Sequence, residues 1–570
     1  SAMVHSSRFP DLPPIPDQSF TQYLLDLVEK YGDRLAIDHP ERGPLLKFSQ
    51  LAERLFDVDR RLAVYNIGFG DVIATLAGNS LDYIILCLGA LNRGITVVPI
   101  NPAMKKMEII KYLEGVHCVF SEKHNIEKVW EATAELESPI MVIEMEHFFS
   151  VDTSDVEVQE KQEKVFDVET TAFIFYSSGT TGPPKGICIP HRAMIAHCLI
   201  GHLMYSQEGE RMPLPEEHSS IHGVLPLFHA GGLITLFIML SRGMTIVLNG
   251  KFDEKRFIEI LIEKKVSVVY LVPAVLPVLS LLPPEVSLPD LNLVYIGSAP
   301  LSRDEATAFA DRFPDCTLAQ MYGLTEAGTL IFATIEVGDP TNAGVAMPGV
   351  QFKITADDGS ECPADVPGDI IVKTATMASG YLNGEKFDEW FNTGDVGSVD
   401  DQGALTIVGR TKEMIKVRGW QVNPYELESA LKKGVEGVEE CAIVGVEMGG
   451  ATLPHAFIVG RPNVNEVIQF VKDNFVSYKH LAGVSVVDEI PKTQSGKLKR
   501  SALVQMTTAD DAEVFPLPNT MDDEDNADAI VMASFHSSIS NINTIDPSPE
   551  PTPESPETPD DDVTVEDDCV

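Results

Sequence analysis

The chain has 570 residues, more than one ordinary hydrophobic core can use, so two or more domains are expected. Its formal charge is −42, from 85 acidic and 43 basic side chains, and a field of that sign argues against nucleic-acid binding. The eight cysteines are scattered without a Cys-x-x-Cys spacing, which argues against a disulfide frame or a cysteine-rich zinc site.

In chain order, residues 20–30 show a helical pattern of apolar positions, and strand-like runs follow at 72–76, 96–100, 172–176, 268–272 and 293–296. Helical patterns such as 257–265 alternate with these runs, which predicts α/β layers with largely parallel sheets. The most apolar stretch, 266–282, is interrupted by Pro273 and Pro277 and reads as a buried strand followed by a short helix, with no transmembrane segment. From about Gly344 the pattern changes to short strands with turn signals, Asp357-Asp358-Gly359 and Asp401-Gln402-Gly403, as in a β-rich subdomain. A compact α/β segment follows Arg410 and ends near Val504. Beyond Arg500 there are 18 acidic residues and no Lys or Arg. Residues 546–561 are rich in Pro, Glu and Ser and are expected to be disordered; 527–539 is apolar enough to form a helix on a partner, but a solubilising acidic tail is the favoured reading.

The densest chemistry lies directly after the run at 172–176, in Tyr176-Ser-Ser-Gly-Thr-Thr-Gly-Pro-Pro-Lys-Gly186. Its glycines allow close backbone approach, and its hydroxyls and backbone N–H groups can surround phosphate oxygens. Lys185 adds positive charge. A Walker loop needs Gly before the Lys and Ser or Thr after it, whereas Pro184 and Gly186 stand there.

Six further motifs follow: Leu225-Pro-Leu-Phe-His-Ala-Gly-Gly232, Gly297-Ser-Ala-Pro-Leu301, Gln320-Met-Tyr-Gly-Leu-Thr-Glu-Ala-Gly328, Asn392-Thr-Gly-Asp395, Gly409-Arg410 with Lys412-Glu-Met-Ile-Lys416, and Pro491-Lys-Thr-Gln-Ser-Gly-Lys497. With these seven motifs in this order, the chain resembles the adenylate-forming superfamily of acyl- and aryl-CoA ligases, firefly luciferase and peptide-synthetase adenylation domains, closest to the acyl-CoA synthetase and 4-coumarate-CoA ligase type. The resemblance implies a large N-terminal domain at 1–411, with mostly parallel sheets plus a β-rich subdomain. A small mobile α/β domain at 412–505 and a disordered acidic tail at 506–570 would follow.

The resemblance also implies roles. Ser177, Ser178, Gly179, Thr180, Thr181, Gly182 and Lys185 would cradle the ATP phosphates. Gly297, Ser298, Ala299, Gln320, Met321, Tyr322 and Gly323 would surround the adenine, Thr325 would contact the α-phosphate, and Glu326 would help hold Mg²⁺. Asp395 and Arg410 would serve the ribose. Lys497 would reach the carboxylate and α-phosphate during adenylation, where two anions must be brought together. About a hinge at Lys412, the small domain would then present Lys416, Arg418, Gly419 and Trp420 to coenzyme A, Gly419 letting the pantetheine chain pass.

The acid pocket is expected at His229, Ala230, Gly231 and Gly232. His229 stands where relatives that activate α-amino acids carry an Asp, so no carboxylate balances a substrate ammonium. Hydroxycinnamate ligases have a bulky residue two positions after this His, and Gly231 stands there. A fatty or aryl acid is therefore expected. Coenzyme A is the expected acceptor, the alternatives being a carrier protein loaded in trans and a luciferase-type oxidase. A non-catalytic nucleotide-binding scaffold would be expected to have lost Glu326 or Lys497, and both are present. Departures from the family pattern lie at Gly368-Asp369, in place of Gly-Glu, and at Phe391-Asn392, in place of Tyr-Arg. No leader pattern opens the chain and it does not end in Ser-Lys-Leu, so the cytoplasm is the expected location.

Overall fold

A computed structural model describes residues 4–506, except 157–166, 178–183, 207–218, 251, 299–300, 302, 335–338, 357–358, 411–414, 418–419, 423, 449–450 and 492–499. The tail from 507, with its apolar island at 527–539, lies outside the described residues.

Two large sheets form the body. The seven-stranded sheet runs in the order Gly380–Tyr381, Lys185–Pro190, Thr171–Ser177, Thr96–Ile100, Val72–Leu76, Cys118–Ser121 and Met141–Glu144. Its strands are parallel from Thr171–Ser177 to Met141–Glu144. The central runs Thr96–Ile100, Val72–Leu76 and Cys118–Ser121 are mostly apolar and buried, as in a sheet covered on both faces, while the edge strand Met141–Glu144 is partly exposed. Thr171–Ser177 and Lys185–Pro190 pair antiparallel with Ser177 opposite Lys185, so residues 178–183 connect two adjacent strands.

The second sheet has fourteen strands. One half is a parallel run including Ser220–Gly223, Val268–Leu271, Leu293–Ile296 and Thr317–Leu324. At Thr317–Leu324 the direction changes, and the strands from Gly328–Ala333 to Ala404–Arg410 pair antiparallel. The β-rich segment is thus continuous with the parallel sheet, and Thr317–Leu324 is their shared strand. The apolar run at 266–282 forms the strand Val268–Leu271, a 3₁₀ turn at Pro273–Val275 and the helix Leu276–Ser280, the prolines falling at first-turn positions.

The helices Leu81–Asn92 and Ala230–Ser241 are apolar on nearly every side and buried accordingly. Ser80 caps the first, its hydroxyl accepting from Tyr83 N at 3.1 Å. The C-terminal part has its own core, in which Ile443, Ala456, Ile458, Val467 and Phe475 are buried. There the antiparallel pair Val438–Met448 and Ala451–Gly460, extended by Gly483–Val486, packs with the helices Pro424–Gly434 and Val464–Asn474. Among the described residues, no helix is long and apolar enough to cross a membrane.

Candidate active site

Three groups of motif residues converge where the sheets and the C-terminal part meet. The first lies around the strand ends Ile296 and Gln320, which are register partners. A Cβ on Gly297 would lie 2.3 Å from Tyr270 Oη, so a larger residue would require the Tyr270 ring to shift. Ser298 adopts a φ of 70°, unusual for a non-glycine residue. Gln320 is buried, and its Oε1 has no hydrogen-bond partner, an acceptor that the protein leaves unsatisfied. Two positions on, Tyr322 Oη donates to Asp395 Oδ2 at 2.8 Å. Asp395 is itself buried and faces Arg410 in the register of its strand pair. Its N–H donates to Thr393 Oγ1 at 3.1 Å, and the Thr393 hydroxyl donates to Ile370 O at 2.9 Å.

The departures at Asp369 and Asn392 prove to be partners. Asn392 Nδ2 donates to Asp369 Oδ2 at 3.4 Å, and Asn392 Oδ1 accepts from Gly394 N at 2.9 Å, bracing the turn that presents Asp395. Two short side chains thus meet across the strand pair, where the family pattern would place a Glu and an Arg.

The second group lies on the turn Leu324–Gly328, between antiparallel strands. A Cβ on Gly323 would meet Gly328 O at 2.4 Å, and Gly328 has a φ of 123°. Thr376 Oγ1 donates to Ala327 O at 2.8 Å, and His197 Nε2 accepts from Thr329 N at 3.0 Å. Burial holds the His197 pKa down at about 4, so the ring is neutral and can accept that bond. This fixed turn carries Thr325 and Glu326. The Tyr381 hydroxyl is pushed up to about 12, by burial first and then by the Glu326 charge, while Lys185 Nζ sits 4.4 Å from the centroid of the Tyr381 ring. Lys185, Tyr381 and Glu326 are therefore neighbours in space.

The third group is the pocket mouth. His229 precedes the helix Ala230–Ser241 with an extended backbone. The mouth is tied to the seven-stranded sheet by Asn79, which follows the strand Val72–Leu76 and carries no motif signature. Its Nδ2 donates to Leu225 O and its Oδ1 accepts from Leu227 N, both at 2.9 Å. Behind lies a narrow, mainly apolar cleft with about 20 Å³ of accessible space, lined by Ile221, Leu225, Leu236, Ile246 and Tyr270. A Cβ on Gly231 would meet nothing within 4 Å, so this glycine leaves open space. Gly232 answers to packing, since a Cβ there would lie 2.2 Å from Pro226 O. A larger open crevice near His39, Lys105 and Glu122 is polar and shares only Asn79 with the residues above.

The hairpin Ile415–Val417 and Trp420–Val422 of the C-terminal part meets this group through Trp420, which lies against Phe228 and His229. Trp420 stacks on Tyr478 at 4.6 Å and 9°, and its ring centroid is 4.8 Å from His229. Its buried indole N–H has no hydrogen-bond partner. Residues 418 and 419 join the two strands of the hairpin, Val417 being opposite Trp420. Ser178, Gly179, Thr180, Thr181, Gly182, Ala299, Lys412, Arg418, Gly419 and Lys497 lie outside the described residues, and only backbone is described for Ser177, Arg410 and Lys416.

The model of the AMP-binding enzymes matches residues 26–382, and that of the AMP-binding enzyme C-terminal domain matches 426–497. The chain is 30% identical to 4-coumarate–CoA ligase 2 of Petroselinum crispum over 88% of its own length and 96% of that protein's. It is 27% identical to peroxisomal OPC-8:0-CoA ligase 1 of Arabidopsis thaliana, over 89% and 97%. Among solved structures, o-succinylbenzoate CoA synthetase of Bacillus subtilis bound to a product analogue shares the fold with a TM-score of 0.75, at 22% identity over 87% of this chain and all of that one. The chain therefore belongs to the AMP-binding enzyme family, the adenylate-forming acid–thiol ligases.

Proposed function

We propose that the protein activates a fatty or aryl carboxylic acid, and not an α-amino acid, as its acyl-AMP and then transfers the acyl group to coenzyme A. In the first step a carboxylate oxygen attacks the α-phosphorus of ATP and pyrophosphate leaves. In the second the thiol sulfur attacks the acyl carbonyl, its proton is lost, and AMP leaves. The observation that carries this reading is Trp420 of the C-terminal part packed against His229, two residues before Gly231, where the backbone leaves open space. The segment expected to meet coenzyme A then faces the place where the acyl group would lie.

The residues present fit a nucleotide. Gln320 offers an unsatisfied acceptor, Gly297 leaves no side chain in the way, and Tyr322 and Asp395 are linked in one rigid wall. Thr325 and Glu326 lie on the braced turn beside Lys185. Among the described residues no cluster of three or more potential metal ligands occurs. Magnesium would therefore be shared between Glu326 and nucleotide oxygens, a donor set that suits a hard cation which keeps phosphate and water ligands. Lys497 would act in adenylation, and Lys416 to Trp420 in thioester formation, with Lys412 as the hinge between 1–411 and 412–505. The names of the relatives, 4-coumarate–CoA and OPC-8:0-CoA ligases, support an acid with an apolar body and no ammonium group.

The test is pyrophosphate release across a library of fatty, aryl and amino acids, followed by addition of coenzyme A and mass analysis of the products. Turnover of α-amino acids alone would refute the acid class. Acyl-AMP that passes to a phosphopantetheinyl carrier protein but not to coenzyme A would refute the acceptor.

A further inference from the structure

Away from the reacting atoms, a buried chain of charges crosses between the C-terminal part and the body. Lys479 ends the 3₁₀ turn Ser477–Lys479. Its Nζ lies 2.8 Å from Glu108 Oε1 and 3.0 Å from Glu426 Oε2. The side chains of Lys479, Glu108 and Glu426 are 5%, 0% and 2% exposed. Glu426 belongs to the C-terminal part, in the helix Pro424–Gly434, and its second oxygen accepts from Lys111 Nζ of the body at 3.1 Å. Glu108 belongs to the body, in the helix Lys106–Ile109, and its second oxygen accepts from Lys105 N at 3.2 Å, which fixes its orientation. The order Glu108, Lys479, Glu426, Lys111 alternates in sign, is neutral in sum and crosses the interface twice.

Its place connects it to the pocket. Tyr478, the neighbour of Lys479, is the ring on which Trp420 stacks, and Trp420 in turn meets His229. One short turn therefore carries both the buried ammonium and the platform for the indole. Burial alone would push a lysine toward neutrality, but the two carboxylates overcome it and hold Lys479 well above its ordinary pKa.

We propose that Lys479 and Glu108 form an electrostatic clamp that seats the C-terminal part over the acid pocket, which makes Lys479 a positioning residue for thioester formation. The proposal rests on the two-step reading above. When the C-terminal part swings away, Lys479 keeps Glu426, while Glu108 and Lys111 lose their partners to water. An ionic contact suits such a joint. Its charges are well solvated when apart, and geometry rather than apolar area decides whether they close. The buried pair of Arg500 and Glu428, at 2.7 Å, lies wholly within the C-terminal part and supplies an internal reference.

The test compares Glu108→Gln with Glu428→Gln. The acid giving the fastest pyrophosphate release in the unmodified protein serves as substrate, and its synthetic acyl-AMP is supplied for the second step. Glu108→Gln is expected to keep acyl-AMP formation within about twofold and to slow transfer to coenzyme A on the order of tenfold, the size of coupling between contacting groups. Glu428→Gln should leave the ratio of the two rates unchanged. An equal loss of both steps in Glu108→Gln, an unchanged transfer step, or the same selective loss in Glu428→Gln would overturn the clamp.

A second readout needs no turnover. In a Trp130→Phe, Trp390→Phe background, Trp420 is the remaining tryptophan. Its emission should shift to the red and become easier to quench with Glu108→Gln and not with Glu428→Gln; unchanged emission would also overturn the proposal. If no acid supports pyrophosphate release, the functional reading fails while this emission still decides the clamp.

Discussion

Tyr322 and Asp395, 73 residues apart, are joined by a 2.8 Å hydrogen bond between phenol and carboxylate. The bond links the residue proposed to flank the adenine to the one proposed to receive the ribose hydroxyls. Hydrogen bonds to charged groups contribute about 1.5–3 kcal/mol. Tyr322→Phe should therefore raise KM for ATP roughly tenfold or more, with a smaller change in KM for the acid. An equal rise in both constants would show that the pair does not serve the nucleotide.

The adjacent glycines at the pocket should respond in opposite directions. Gly231→Ala meets no atom within 4 Å and gains up to about 1 kcal/mol of helix propensity. Gly232→Ala drives a methyl group to 2.2 Å from Pro226 O and should cost about 1–3 kcal/mol. Thermal melting of the two variants checks this; a loss of stability in Gly231→Ala would show that its surroundings are not open. Gly231→Tyr should slow bulky acids more than acetate, as pyrophosphate release would reveal.

Acid should destabilise the fold through three buried imidazoles. Burial holds His191 and His222 down at about 3 and His197 at about 4. Unfolded histidine takes up its proton near pH 6.5, so the unfolded state binds more protons below that pH. Stability is thus present at neutral pH and is lost as pH falls from about 6.5 toward 3. His222 has neither ring nitrogen paired. His222→Leu should therefore raise the melting temperature, and by more at pH 5 than at pH 7. An equal shift at both values would mean that His222 does not titrate on unfolding.

Substitutions on the two proposed working faces of the C-terminal part should separate the half-reactions. Lys497→Ala should reduce acyl-AMP formation by about 10²–10³ while leaving transfer from supplied acyl-AMP intact, because its charge is needed only at the α-phosphate. Gly419→Leu and Trp420→Ala should do the reverse, one by filling the pantetheine path and the other by removing the ring over His229. Loss of transfer in Lys497→Ala, with the fold intact, would refute the division.

Much of this was legible because motifs report local needs. The positive φ of Gly328, the strand runs and the paired prolines at Pro273 and Pro277 each answer to a constraint a few residues wide. Asp395 and Tyr322 were legible only through the family resemblance, since nothing near either residue names its partner. Lys479 was not legible. Its partner Glu108 lies 371 residues away, and Ser477-Tyr478-Lys479-His480 has no pattern that separates it from a solvated turn. Asn79 escaped for the same reason. The strands themselves were plain, but their joining into one sheet was not. Alternation shows that a strand is half-buried and is silent about which neighbour it will find.

The column of rings formed by Tyr478, Trp420 and His229 bears on an economy of reactive intermediates. A mixed anhydride of a carboxylic acid and AMP is spent uselessly when water reaches it first. If the acyl group lies beside His229, rings packed there would leave little room for bulk water to gather above the acyl carbon. The same side chains that receive the second substrate would then shelter the product of the first step, so leakage to free acid should rise whenever the indole is removed, even before coenzyme A is added.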